Sequence, residues 1–240
     1  TLADCVPTLR HYWDHRVAFQ EGLALLSAAL RSQAARADPR LEASLLGGMA
    51  HLEYRMDRYA AAEASATRGL APARAARDHG SQALCLQVLG TCCYRQGRYG
   101  EARRYFRQAL RQAKADNDPR KAAVMLYNEA VVEKATGRYE EALRLFVESL
   151  AQYRRLGDVA GEALCLNSLG SLHLDRAEHE AAGTHLRAGL AVCDRHGLAG
   201  PRVYVLSNLA EHALKTGDDE ASLAHAQRAI EIAEAAGNRV

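Results

Sequence analysis

Residues 81–120, SQALCLQVLGTCCYRQGRYGEARRYFRQALRQAKADNDPR, decide the fold once they are laid over 121–160, KAAVMLYNEAVVEKATGRYEEALRLFVESLAQYRRLGDVA. Gly97-Arg98-Tyr99 in the first stretch returns as Gly137-Arg138-Tyr139 in the second, and Arg58-Tyr59 stands one step upstream. Each Arg-Tyr pair opens an Ala-rich run ending at Leu70, Leu110 or Leu150. The same step of forty reaches Leu30, Leu190 and Ile230. A second phase holds Leu46, Leu86, Leu126, Leu166 and Leu206, joined by Val6. A small residue follows four positions later, at Ala50, Gly90, Ala130, Gly170 and Ala210. A third phase holds Asp38, Asp78, Asp118 and Asp158 and restarts at Asn238. Phases kept along a chain without insertion mark a repeat architecture, in which each repeat is one supersecondary unit stacked on the next.

Each block predicts two helices. Asp38-Pro39 and Asp118-Pro119 have the form of an N-cap followed by proline in the first turn, where its missing N–H costs nothing. A first helix of about 16 residues then runs to a break at Gly97, Gly137 or Gly217, where glycine suits the left-handed end of a helix. The second helix starts at the Arg-Tyr pair and ends near Ala76, Ala115 or Leu156; Pro72 is expected to kink or shorten the one that contains it. One short amphipathic pair cannot bury its own apolar faces, so the hairpins must stack. The expected fold is all-α, a right-handed α-solenoid of about six helical hairpins in a single domain. Residues 1–36 form an irregular leading pair, 37–236 five regular repeats, and 237–240 the start of another.

Composition excludes several classes. The 240 residues are 48% hydrophobic and 25% charged, which is neither disordered nor collagen-like. No apolar run approaches the roughly 18 residues of a membrane span, and no charged segment before an apolar core reads as a signal peptide. Residues 1–120 carry 18 Lys/Arg against 12 Asp/Glu, a net of +6. Residues 121–240 carry 13 against 17, a net of −4, a polarised surface without the footprint of direct nucleic-acid binding. Cys5, Cys85, Cys92, Cys93, Cys165 and Cys193 follow no metal or disulfide spacing and read as core residues of a reducing, cytoplasmic compartment.

In block three, Leu86, Leu89, Gly90, Ala102, Phe106 and Ala109 fall at the spacing of the tetratricopeptide repeat (TPR) signature, and Leu126, Ala130, Ala142, Phe146 and Ser149 repeat it. The chain resembles TPR arrays of a variety longer than the family's usual period of about 34 residues. Such arrays end large bacterial signal-transduction ATPases of the STAND type and related transcription activators. The stretch Tyr12-Trp13 to Glu21-Gly22 and Leu30 is similar to the segment that leads into them. The resemblance implies a non-catalytic sensing region of a larger bacterial transcriptional regulator. Its concave groove would take a peptide, a protein segment or a small effector and act on a neighbouring ATPase or DNA-binding module. The alternative is a protein–protein scaffold with no small effector.

Helical geometry at about 100° per residue gives each first helix a packing stripe and an opposite stripe. The second contains Leu84, Gln87, Thr91, Tyr94 and Arg95 in block three, and the matching positions include His51, Tyr54, Arg55, Tyr127, Lys134 and Asn167. Aromatic, amide and small polar residues there differ from the Glu, Lys and Arg of a merely solvated face. Tyr54-Arg55 and Tyr94-Arg95, followed by Lys134, could hold a carboxylate or phosphate beside an apolar group. Alternatively, the tyrosines pack between first helices and the arginines pair with acids such as Glu53. Asn128, Asn167 and Asn208 could clamp a peptide backbone or bond between repeats; Asn128 and Asn208 sit one residue off the stripe.

Glu129 stands in the phase of Leu89, Leu169 and Leu209, and a buried carboxylate there must be paired, protonated or open to a cavity. Either it serves a site, together with Glu133 one turn on, or it pairs with an arginine of a neighbouring helix. Arg103, Arg104, Arg107 and Arg111 on one second helix read as a solvated face. His11 and His15 imply no third metal ligand, and His173, His179 and His185 do not converge by simple geometry. No phosphate loop, zinc-protease or nucleophile-elbow motif occurs. No cofactor, metal or enzyme activity is expected. The C-terminal end, expected to be uncapped, could pair with another copy or with further chain.

Overall fold

The computed structural model describes residues 2–235, which leaves the expected restart at 237–240 outside the described residues. Thirteen helices occur among them, with no strand. The leading segment forms α1 (Leu2–Arg16), α2 (Phe19–Leu30) and a short α3 (Gln33–Ala37), one element more than the expected pair. The repeats then supply α4 (Pro39–Arg55), α5 (Tyr59–Ala75), α6 (His79–Arg95), α7 (Tyr99–Ala115) and α8 (Pro119–Ala135). They continue with α9 (Tyr139–Leu156), α10 (Val159–Asp175), α11 (His179–His196), α12 (Ala199–Thr216) and α13 (Asp219–Ala235). The helices form two compact units, 1–132 and 133–240 in extent, that divide within α8.

The recurrent aspartates begin the first helices. Asp38 accepts the backbone N–H of Arg40 at 2.9 Å, and Asp78, Asp118 and Asp158 accept those of Ser81, Lys121 and Gly161, each at 3.0 Å. Each carboxylate satisfies a donor that has no partner inside the helix. The first helices end in left-handed residues, Gly97, Gly137 and Gly217 among them, with φ of 77°, 73° and 81°. The same conformation is forced on Val17, Asp57 and Ala177 at equivalent turns, and on Arg77 and Asn117 after second helices. It costs an L-residue with a side chain roughly 1–2 kcal/mol.

Apart from α13, where Asp218 accepts the Ala221 N–H at 3.0 Å, the second helices α5, α7, α9 and α11 start without a side-chain cap. Instead the backbone N–H at the Arg position reaches back five residues, from Arg58 to Glu53, Arg98 to Cys93 and Arg138 to Glu133, at 2.8–2.9 Å. The following tyrosine then lies on the one before the turn. Ring centroids are 6.0 Å apart for Tyr54 and Tyr59, and 5.7 Å for Tyr94 and Tyr99. Pro72 does not shorten α5, which at 17 residues is as long as α7. It stands in the last turn, where a missing N–H removes one helical bond and little remains to be interrupted.

Within the first unit, Ala62 and Ala66 of α5 pack with Cys85, Val88, Leu89 and Cys92 of α6, and Phe106 of α7 fills a cluster with Leu86, Cys93 and Met125. Gly90 permits that ring to approach, since a Cβ there would lie 2.6 Å from Phe106. In the second unit Leu186 and Cys193 of α11 pack with Val205, Leu206 and Leu209 of α12. A buried side chain of this size contributes roughly 1.5–3 kcal/mol, and the step of forty places one at every layer.

Candidate functional site

The mixed stripe of the first helices sits where one such helix meets the next. Asp14 on α1 receives His51 Nε2 at 2.8 Å and Arg55 Nη1 at 2.7 Å from α4, and the Arg55 guanidinium also lies 4.9 Å over the Phe19 ring. Burial pushes the Asp14 carboxyl up, but the His51 hydrogen bond and the charges of His51, Arg55 and Arg10 outweigh it and hold it below its ordinary range. Ser44, on the same stripe, donates to the Ala3 carbonyl at 3.1 Å. In the second unit the arrangement recurs with its charges exchanged. Lys134 donates to Ser171 at 2.9 Å and pairs with Asp175 at 3.0 Å on α10.

Arg95 of α6 instead meets the turn between α4 and α5. Arg95 Nε donates to the Tyr59 hydroxyl at 3.2 Å, which itself donates to Asp57 at 2.5 Å, with Tyr54 alongside. Burial raises the Tyr54 and Tyr94 phenols. The Tyr-Arg doublets therefore pack between helices as the structural alternative requires, but neither arginine takes Glu53. Arg55 lies on Asp14 instead, and Glu53 is buried beside Ser65 and Arg58, with burial raising its carboxyl.

The asparagines divide by position. Asn208 Nδ2 donates to Asn167 Oδ1 at 2.8 Å, linking α12 to α10. Both side chains are half-buried, as are Gln87, Tyr127 and Asn128 on their own helices. One amide pair thus presents a donor from Asn167 and an acceptor from Asn208, the pattern of a peptide bond.

Glu129 is buried and paired. Arg107 Nε on α7 lies 2.5 Å from its Oε1, while the Arg107 side chain itself stays 52% exposed on the face expected to be solvated. Glu133, also buried, pairs with Arg138 five residues on. His173 repeats that turn lock with opposite polarity, its Nδ1 2.5 Å from Glu178. Its ring stacks on His185 at 5.3 Å and 4°, a convergence that the sequence spacing concealed. The His173 hydrogen bond, then Arg176, hold the Glu178 carboxyl below its usual range, while burial, His173 and Arg154 lower His185.

Among the described residues no group of three or more His, Cys, Asp or Glu could hold a metal, and no helix is long and apolar enough to cross a membrane. The side chain of His15 is outside that description. Burial pushes the Cys85, Cys92 and Cys165 thiols up to about 12 and Cys93 to about 11, so they are poor nucleophiles. A depression of about 670 Å³, open to solvent, borders His11, Tyr12, Asp14 and Arg16 on α1.

The fold recurs in solved structures. BtubC from P. vanneervenii superposes with a TM-score of 0.70 at 21% identity, over 93% of this chain and 91% of that one. A Rap protein complexed with competence and sporulation factor gives 0.70 at 14%, over 96% of this chain and 74% of the other. A STAND protein with a tetratricopeptide repeat sensor, from Pyrococcus horikoshii, gives 0.71 at 15%, over 95% of this chain but 35% of its own. At these identities the likeness is one of fold. Comparison with curated proteins finds no match. Residues 40–115 and 121–195, well over half of the chain, match the model described as tetratricopeptide repeat. The chain belongs to the tetratricopeptide repeat family, a family of protein-binding scaffolds.

Proposed function

We propose that the chain is a non-catalytic binding domain that takes an extended peptide along its first-helix stripe, as the sensing region of a larger bacterial, cytoplasmic transcriptional regulator. The observation that carries the proposal is the amide pair of Asn167 and Asn208. Half-buried amides on successive first helices offer a donor and an acceptor to a peptide backbone, and they do so without reference to its sequence. In the first unit, Gln87, Tyr127, Asn128 and the Tyr54–Arg95 rung give the first helices a mixed stripe of their own. Two structural neighbours support a regulatory role by what they are, one a Rap protein bound to a signalling factor and the other a STAND protein whose repeats are its sensor. Ligand that touches two first helices at once favours one spacing of the rungs over another, and so shifts the population that a neighbouring module meets.

The test is selection from an immobilised combinatorial heptapeptide library, followed by calorimetry of the selected peptides with wild type, Asn167→Ala and Asn208→Ala. Loss of a hydrogen-bonding amide should weaken binding roughly tenfold, equivalent to about 1.4 kcal/mol. Equal binding by all three chains would remove the amide pair from the site.

A further inference from the structure

The positive charge of the first half of the chain is concentrated on two second helices. Residues 57–116 carry 11 Lys/Arg against 5 Asp/Glu, and the rest of 1–120 carries 7 of each, so the whole net of +6 falls here. The acids of this stretch are engaged elsewhere. Asp57 receives the Tyr59 hydroxyl, Glu63 and Glu101 hold Arg98, Asp78 caps α6, and Asp116 takes Lys121. That leaves Arg68, Arg74 and Arg77 on and just after α5, and Arg104, Arg111 and Lys114 on α7, all of them exposed. Among the described residues none of these forms an ion pair, and Arg104 alone rests on a ring, its guanidinium 5.4 Å from the Tyr105 centroid.

The pattern is ordered. On α7, Arg104, Arg107, Arg111 and Lys114 follow one another at steps of three, four and three residues, which puts them on one face of the helix over about 15 Å. Arg68 and Arg74 occupy the matching face of α5, with Arg74 in the phase of Lys114. Like charges at such steps repel, so the stripe costs the fold stability that no acid of this stretch returns. The repeat can do otherwise. In the second unit Arg144 and Arg154 of α9 stand in the phases of Arg104 and Lys114, and they pair with Glu141 and Glu148 and with Glu162.

We propose that this stripe docks an Asp/Glu-rich segment of a partner protein along the exposed faces of α7 and α5. Guanidinium groups take carboxylates in bidentate pairs, and an acidic helix repeats its carboxylates once per turn, as α7 repeats its cations. Between the cations α5 exposes Ala64, Ala71 and Ala75, small enough for another backbone to come close. An anionic membrane fits less well, because among the described residues of α5 and α7 no large apolar side chain is exposed to enter a bilayer. A nucleic acid fits less well because Tyr99 and Tyr105 are half-buried, the second under Arg104, and offer no open ring for stacking. The stripe involves neither Asn167 nor Asn208, and so stands apart from the peptide site.

Fluorescence anisotropy of a fluorescein-labelled peptide of repeating Glu-Glu-Ala-Ala, titrated with the whole chain, tests the docking. A random-sequence DNA duplex and phosphatidylserine vesicles are titrated in parallel. Wild type should bind the peptide, and bind it more weakly as salt rises. Arg111→Glu combined with Lys114→Glu should weaken binding about tenfold, through lost attractions and new repulsions at two exposed pairs. Arg68→Glu combined with Arg74→Glu should act in the same sense, and replaces the first variant should that lose its helical circular dichroism. Arg155→Glu combined with Arg195→Glu changes net charge equally on exposed arginines of α9 and α11. It should alter affinity by less than about twofold once salt screens charges that are not in contact. The proposal is overturned by a wild-type chain that does not bind the peptide, or by equal weakening in the α7 and the α9–α11 variants. It is also overturned if the duplex or the vesicles bind more tightly than the peptide and depend on Arg111 and Lys114.

Discussion

Arg107 on α7 holds Glu129 of α8, its Nε 2.5 Å from Oε1, at a position where the repeat elsewhere places Leu89, Leu169 and Leu209. The carboxylate is buried while the guanidinium is half in water, so the pair is asymmetric in what its loss would cost. Removing Arg107 leaves the buried charge uncompensated, and removing Glu129 leaves only a solvated arginine.

Arg107→Ala should therefore destabilise the chain by about 1–3 kcal/mol in urea denaturation, below the roughly 3–5 kcal/mol of a wholly buried pair because the arginine is half exposed. Glu129→Leu should be neutral or stabilising. Equal losses from both variants would contradict this account of the pair.

Asp14 has its carboxyl held below the ordinary range by His51 and Arg55 against the opposing effect of burial. A depressed acid contributes stability that is present above its unfolded value of about 3.9 and is lost as pH falls through the folded value. Asp14→Asn should lower the melting temperature at neutral pH and flatten the acid limb below about pH 4. Parallel acid limbs for the two proteins would exclude the rung as a contributor.

His185, lowered by burial and then by the charges of His173 and Arg154, acts in the sense of a base. Its folded form binds protons less readily than the unfolded chain, so the stability it allows is complete above about pH 6.5 and declines below it. His185→Gln should reduce the loss of melting temperature between neutral pH and the acid limb. An unchanged slope in that window would show that the stacked pair is not the titrating element.

Val17 and Ala177 adopt φ of 55° and 58° at turns where Gly97, Gly137 and Gly217 stand in other repeats. Replacing either by glycine relieves about 1–2 kcal/mol of left-handed strain and returns about 0.4–1 kcal/mol to the unfolded chain. The balance favours the fold by about 0.5–1 kcal/mol, with the larger gain at the β-branched Val17. Differential scanning calorimetry should find both variants raised in melting temperature; a fall at Ala177 would mean that its turn is not strained.

The repeat and its helix boundaries were legible because period, aspartate caps and turn glycines are local signals. Where a turn lacks glycine, as at Val17, Asp57 and Ala177, the same backbone conformation has no sequence mark, and only the period points to it. The rungs were hidden for a different reason. Asp14 meets His51 and Arg55 across 37 and 41 residues, and its counterpart Lys134 meets Ser171 and Asp175 with charges exchanged, so no fixed residue pattern survives. The turn locks at Glu133–Arg138 and His173–Glu178 exchange polarity in the same way. The stripe differs in composition from a solvated face, yet many of its polar groups serve the contact between first helices. Asn167 and Asn208 stand out in the sequence as mid-helix amides, while their bond to each other required the helices to be placed.

The most direct measurement of the binding claim follows the side-chain amide signals of Asn167 and Asn208 in ¹⁵N-labelled protein during titration with a library-selected heptapeptide. The account predicts that both side-chain NH₂ pairs shift together, saturate with the peptide's calorimetric affinity, and vanish as reporters in the corresponding alanine variants. Saturable binding that leaves both pairs unmoved, with shifts confined to the outer faces of second helices, would contradict it.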